Sequence, residues 1–114
     1  LFREGLSLVS EAPPAELIGT WSLAEIRSYG MPPKVIPSGE RMVDFRADGF
    51  VYITGMELFH EAPKGKQRFG YHPWGRDGLL FIGWIYFGYR IVDGELQMEY
   101  NAYLDGPIYV FKRL

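Results

Sequence analysis

The residues best suited to chemistry in this chain are its tyrosines. Tyr52, Tyr71, Tyr89, Tyr100 and Tyr109 each carry an apolar ring and one polar tip. Such side chains suit a mostly apolar pocket that orients its occupant through a few hydrogen bonds. Phe45, Phe69, Phe87, Met98 and Phe111 would complete the wall of such a pocket. The same rings could equally fill a small interior with no room for a ligand. Only two histidines are present. His60 lies in Glu57-Leu58-Phe59-His60-Glu61, where flanking carboxylates would suit a base or a metal ligand. His72 opens His72-Pro73-Trp74-Gly75 and reads as a turn residue. Two histidines without cysteine make a weak metal site, so neither metal nor cofactor is expected. Ser22, Ser28 and Ser38 are remote from both histidines in sequence. No glycine-rich phosphate loop, nucleophile elbow or paired catalytic carboxylates occur.

These side chains need a scaffold, and composition limits which one. The chain has 114 residues, which is one domain. Aromatic residues make up 17%, charged residues 23%, and the net charge is -2. Disorder requires few aromatics and high charge, so the composition argues against it. Acids outnumber bases 14 to 12, which argues against a nucleic-acid partner held by a strongly basic surface. Cysteine is absent, so disulfides and thiolate chemistry are excluded. No stretch reaches the roughly 18 apolar residues of a membrane helix. Leu1–Ser10 lacks the basic start and long apolar core of a signal peptide. The chain begins at Leu1 rather than Met, so the compartment stays open.

Leu1–Pro13 reads as a loosely attached arm and Pro14–Leu114 as the folded domain. Pro14–Ile18 suits one helical turn, ended by Gly19. Beyond it, β-branched and aromatic runs alternate with Gly, Asp and Pro clusters. The expected strands are Thr20–Ser28, Arg41–Ala47, Phe50–Gly55, Gln67–His72, Leu79–Val92 (as one strand or two), Glu95–Leu104 and Pro107–Arg113. Asp48-Gly49, Asp93-Gly94 and Asp105-Gly106 are hairpin signals. Asp77-Gly78 would close a looser turn, Pro73–Gly78. Strands joined by tight turns are antiparallel neighbours. Seven or eight in series avoid open edges by closing, so the expected fold is an all-β antiparallel up-and-down barrel. A two-layer sandwich is the alternative. The long connections Tyr29–Glu40 and Met56–Lys66 would ring the barrel mouth. Met31, Val35 and Ile36 could form a lid there, or pack as part of a stiff connector.

The hairpins fix which side chains face inward. Glu95-Leu96-Gln97-Met98-Glu99-Tyr100 alternates cleanly, so Leu96, Met98 and Tyr100 face the interior. A two-residue loop at Asp93-Gly94 sets Leu96 opposite Ile91, Met98 opposite Tyr89 and Tyr100 opposite Phe87. The same loop length at Asp105-Gly106 sets Tyr100 opposite Phe111 and Met98 opposite Arg113. At Asp48-Gly49 it pairs Phe45 with Tyr52. A three-residue loop with a bulge would instead turn Val51 and Ile53 inward. A similar slip further on would turn Trp84 and Tyr86 inward. Otherwise those two form an exposed pair suited to a partner surface or a homodimer.

Leu17-Ile18-Gly19-Thr20-Trp21-Ser22-Leu23 resembles the lipocalin signature, a short helical turn followed by Gly-x-Trp. Phe45-Arg46-Ala47-Asp48-Gly49 and Gly88–Leu96 resemble the hairpins of compact bacterial lipocalin-like domains. Tyr109–Arg113 resembles their last strand, and the likeness spans Glu16 to Arg113 in order. The resemblance implies that Trp21 closes one barrel end beneath Arg113. It implies no particular ligand, since the long C-terminal helix and disulfides of full-length lipocalins are missing.

The expected function is binding of a small, largely apolar molecule in the barrel, entered between the Tyr29–Glu40 and Met56–Lys66 loops. Its contacts would be Phe45, Tyr52, Phe69, Tyr71, Phe87, Tyr89, Met98, Tyr100 and Tyr109. One alternative is a small isomerase- or cyclase-type enzyme using pocket Tyr or His as acid-base groups. Another is an interaction module with a filled barrel.

Overall fold

The computed structural model describes residues 13–55, 65–74, 77–83, 85–100 and 107–114. A 3-10 turn, Ala15–Leu17, precedes nine strands. These are β1 (Gly19–Arg27), β2 (Lys34–Val35), β3 (Met42–Phe45), β4 (Phe50–Thr54), β5 (Gly65–Trp74), β6 (Asp77–Ile82), β7 (Ile85–Val92), β8 (Glu95–Tyr100) and β9 (Ile108–Arg113). β1 and β3 to β9 are neighbours in chain order, and β9 returns to pair with β1. Every pairing is antiparallel. The fold is therefore a closed, eight-stranded up-and-down barrel with β2 as an extra strand on β1. Among the described residues no helix is long and apolar enough to cross a membrane.

The interior holds one contiguous apolar cluster. It includes Trp21, Leu23, Val43, Phe45, Val51, Ile53, Leu80, Ile82, Phe87, Leu96, Met98 and Phe111. Alternation along each strand supplies it, as in Ile85, Phe87 and Tyr89 of β7. β1 breaks alternation once. A bulge at Ala24 separates the pairs Leu23–Phe111 and Glu25–Val110, so Ile26 returns to the inner face beside Tyr109. The Ala24 carbonyl accepts from the Ile36 N–H at 2.9 Å.

Two Asp-Gly pairs close different loops. At Asp93-Gly94 both residues take positive φ, 52° and 77°, as a two-residue type I′ turn requires. The expected pairs Ile91–Leu96, Tyr89–Met98 and Phe87–Tyr100 all form. At Asp48-Gly49 only Gly49 has positive φ. Arg46 N–H donates to Phe50 carbonyl at 2.9 Å across a three-residue loop, and the Asp48 carboxylate accepts from Phe50 N–H. Phe45 therefore opposes Val51, not Tyr52. Val51 and Ile53 enter the core, and Tyr52 turns to the outer face.

Three further expectations are corrected. Leu96, not Tyr100, opposes Phe111, and Met98 opposes Tyr109 rather than Arg113. Tyr100 N–H donates to the Pro107 carbonyl, where a two-residue loop would have set Leu104 opposite Pro107. Because the shift is four residues, an even number, every side chain keeps its face. Asp77-Gly78 belongs to β6 rather than to a loose turn, since pairing with β5 runs to Trp74–Asp77. His72 lies within β5 opposite Leu79, not in a turn. The run Leu79–Val92, expected as one strand or two, is two, with Ile82 paired to Ile85.

The first long connection is a strap rather than a lid. Ile36 is buried in the core cluster, while Met31 and Val35 are 67% and 76% exposed. Gly39 N–H donates to the buried Ser22 Oγ at 2.8 Å, tying the strap to β1. Met56–Lys66 falls mostly outside the described residues, as do His60, Trp84 and the arm up to residue 12.

Candidate functional site

Consecutive antiparallel strands place their connections at alternate barrel ends. One end carries the 3-10 turn, Trp21, Arg113 and the β3–β4, β5–β6 and β7–β8 hairpins. Trp21 is buried there, and its indole N–H donates to the Leu17 carbonyl at 2.9 Å. The Arg113 guanidinium lies 4.1 Å from the Trp21 ring centroid. It also donates to the Ile18 carbonyl at 2.9 Å and to the Glu16 carbonyl. Stacking and two charge-assisted hydrogen bonds thus fix the turn across the barrel end. Gly19 makes this approach feasible: a Cβ there would lie 2.6 Å from Arg113 Nη1.

This latch covers only part of the end. Beside it lies a cleft of about 370 Å³ lined by Pro14, Glu16, Tyr71, Tyr89, Arg90, Ile91 and Val92. Pro14 and Glu16 come from the latched turn, so Arg113 indirectly positions that wall. Tyr71 and Tyr89 form an edge-to-face pair with centroids 5.5 Å apart. β6 passes beneath them with Gly78, opposite Tyr89. A Cβ on Gly78 would lie 2.4 Å from Tyr89 Cε1 and 2.7 Å from Tyr71 Cε1. Glycine is needed here for the close approach of two rings, not for a turn. The volume falls in the range of small-molecule sites, roughly 300–1,000 Å³, but the cleft is half-open and its surface is more polar than apolar. Glu16 brings a carboxylate and Arg90 a guanidinium to the same cleft.

The structure divides the sequence-derived pocket residues into separate groups. Tyr71 and Tyr89 meet at the cleft, at the barrel end opposite the mouth expected between Tyr29–Glu40 and Met56–Lys66. Phe45, Phe87 and Met98 have no accessible surface and belong to the packed core. Phe69 joins them, edge-on to Phe45 at 5.0 Å. Tyr100 and Tyr109 are half-buried against the core toward the opposite barrel end, with Tyr100 5.8 Å from Phe87. Burial pushes the Tyr109 phenol above its ordinary pKa, and the neighbouring Tyr100 adds to the effect. Tyr52 is on the outer face, with the Arg46 guanidinium 5.1 Å from its ring. Tyr86 is half-buried on the outer face of β7, in a tilted pair with Phe81. Among the described residues no three His, Asp or Glu side chains gather in a way that could hold a metal ion.

Sequence reasoning missed Pro14, Glu16, Gly78, Arg90, Ile91 and Val92 as site residues. Gly78 could have signalled the site. A glycine between apolar strand residues often marks close approach of another group, but beside Asp77 it read as a turn.

No family model matches the chain, and no curated protein matches it. Among solved structures, it is similar to an uncharacterized protein from Bacteroides eggerthii DSM 20697, known from a crystal structure at 2.60 Å resolution. The TM-score is 0.52 at 12% identity, over 85% of this chain and 98% of that one. At that identity the likeness shows the fold alone.

Proposed function

We propose that this chain binds a small, largely apolar molecule at the barrel end where Tyr71 and Tyr89 meet the 3-10 turn. The carrying observation is the cleft of about 370 Å³ beside their ring pair. The lipocalin-like arrangement of Gly19, Trp21 and Arg113 supports the reading by fold analogy. An apolar ring or chain on the ligand would lose water against Tyr71, Tyr89 and Ile91. That desolvation contributes about 25 cal/mol per Å² of apolar surface. Glu16 and Arg90 would orient one polar group at the rim. The packed interior is the scaffold that holds the two tyrosines, because a ligand touching Phe87 or Met98 would have to displace core side chains.

The test is titration with the fluorescent probe 1-anilinonaphthalene-8-sulfonate, which joins an apolar ring system to one anionic group. Tyr71→Ala and Tyr89→Ala should each weaken probe binding about tenfold, a loss of about 1.4 kcal/mol. Tyr100→Ala should leave it unchanged. Probe affinity unchanged in the first two variants would overturn the assignment. A loss confined to Tyr100→Ala would move the site to the other barrel end.

A further inference from the structure

A different face of the barrel carries charge that no carboxylate of the described residues pairs with. On the outer side of β4 and β5, Phe50 opposes Arg68 and Tyr52 opposes Lys66. Lys66 Nζ sits 4.2 Å from the Phe50 ring centroid, and the Arg68 guanidinium sits 5.5 Å from it. Both cations are exposed, and neither forms an ion pair with a carboxylate of the described residues. Arg46 lies nearby over Tyr52, but Asp44 holds it at 2.7 Å. Among the described residues, Lys66 and Arg68 are thus arranged by an aromatic ring rather than by counter-charge, in a chain of net charge -2.

Among the described residues, the backbone beneath these cations has a strand partner on one side only, and on the other side the Arg68 carbonyl is taken by Gly83. β4 pairs with Gly65–Arg68, whereas the pairing of β6 with β5 begins at Phe69. Phe69 N–H points toward β4, donating to the Gly49 carbonyl, while the Arg68 carbonyl accepts from Gly83 on the β6 side. Alternation then directs the Lys66 N–H and carbonyl away from β4. Among the described residues no strand lies beside residues 65–68 on that side.

We infer that this edge of β5 accepts an extended acidic peptide segment as an added strand. Backbone hydrogen bonds to the β5 edge would align it, and its carboxylates would meet Lys66 and Arg68. The spacing fits, since same-face side chains repeat about every 7 Å on both strands. Charge selects the occupant. The edge of a second copy would bring like cations against Lys66 and Arg68, while an acidic strand brings the complementary sign.

The test is fluorescence anisotropy with a fluorescein-labelled ten-residue peptide of alternating Glu and Thr, and the intact chain. Binding should saturate, weaken with added salt, and fall about tenfold in Lys66→Glu/Arg68→Glu. Lys66→Gln/Arg68→Gln should fall less, and circular dichroism would establish that both variants fold. A peptide N-methylated at every second amide should lose binding while keeping its charge. The inference is overturned by absence of saturable binding, by unchanged affinity in the charge-reversed variant, or by equal binding of the N-methylated peptide. Tighter binding of oligothymidylate or phosphatidylserine vesicles at Lys66 and Arg68 would also overturn it, since those polyanions need no strand edge.

Discussion

Replacing Gly78 with alanine inverts an ordinary rule. Gly→Ala within a strand usually stabilises by about 0.5–1 kcal/mol, because glycine loses more conformational freedom on folding. Gly78 has no positive φ that would penalise alanine. The opposing term is steric. The new methyl would lie 2.4 Å from Tyr89 Cε1 and 2.7 Å from Tyr71 Cε1. Comfortable carbon contacts are about 3.5–4.0 Å, so both rings must retreat by about 1 Å. Tyr89 is only 7% exposed and is held in the core cluster, whereas the half-buried Tyr71 can swing toward the cleft. Overpacking of this kind costs about 1–3 kcal/mol. The net expectation is a loss of about 1–2 kcal/mol, or roughly 5–15 °C in Tm for a domain of this size. Thermal unfolding followed by circular dichroism measures it. In a Tyr71→Ala background the same substitution should cost at least about 0.5 kcal/mol less, because one obstructing ring is gone. A Tm unchanged or raised by Gly78→Ala would refute the reasoning, and so would an equal cost in both backgrounds.

Val51→Asp should abolish folding, because it buries an unpaired charge, while Tyr52→Asp should cost about 1 kcal/mol or less. Chemical denaturation of the pair tests the β3–β4 register, and the reverse order would restore the Phe45–Tyr52 pairing. Arg113→Ala removes the cation over Trp21 and two carbonyl contacts, so it should cost about 1–3 kcal/mol in urea unfolding. It should also weaken probe binding at the cleft, because the wall formed by Pro14 and Glu16 loses its tether. The Tyr109 phenol is held protonated by burial, with Tyr100 contributing. Its stabilisation is therefore complete below about pH 10 and is lost as pH rises through the raised folded value. Urea midpoints between about pH 8 and 11 should fall more steeply in the parent than in Tyr109→Phe.

The barrel was legible because its hairpins are marked by Asp-Gly and its strands by alternation. In Glu95–Tyr100, polar residues label the outer face, and the derived pairing with β7 is the one observed. Phe50-Val51-Tyr52-Ile53 carries no such label. All four side chains are apolar or aromatic, so pattern alone could not decide which pair faces inward. Asp48-Gly49 did not decide either, since the same dipeptide closes a two-residue loop in one hairpin and the end of a three-residue loop in another. The closing pair of β8 and β9 was misjudged by four residues, yet the facing survived because parity is all that facing needs. The cleft was less visible. Its walls come from Pro14 and Glu16 before the first strand, from β5 and from β7, and no local spacing connects them. The latch that gathers them was legible through the lipocalin-like resemblance at Trp21 and Arg113, with strand alternation separately facing Arg113 inward.

A small molecule at the Tyr71–Tyr89 end of the barrel, as proposed, would travel with the protein through purification. Native mass spectrometry of the purified chain, compared with its denatured mass, tests this most directly when the parent and Tyr71→Ala/Tyr89→Ala are measured together. The expected result is an added mass of a few hundred daltons on the native parent, absent from the denatured chain and lost from the folded double variant. An adduct retained in full by the double variant, or a parent that stays bare after incubation with the naphthalene sulfonate probe, would contradict it.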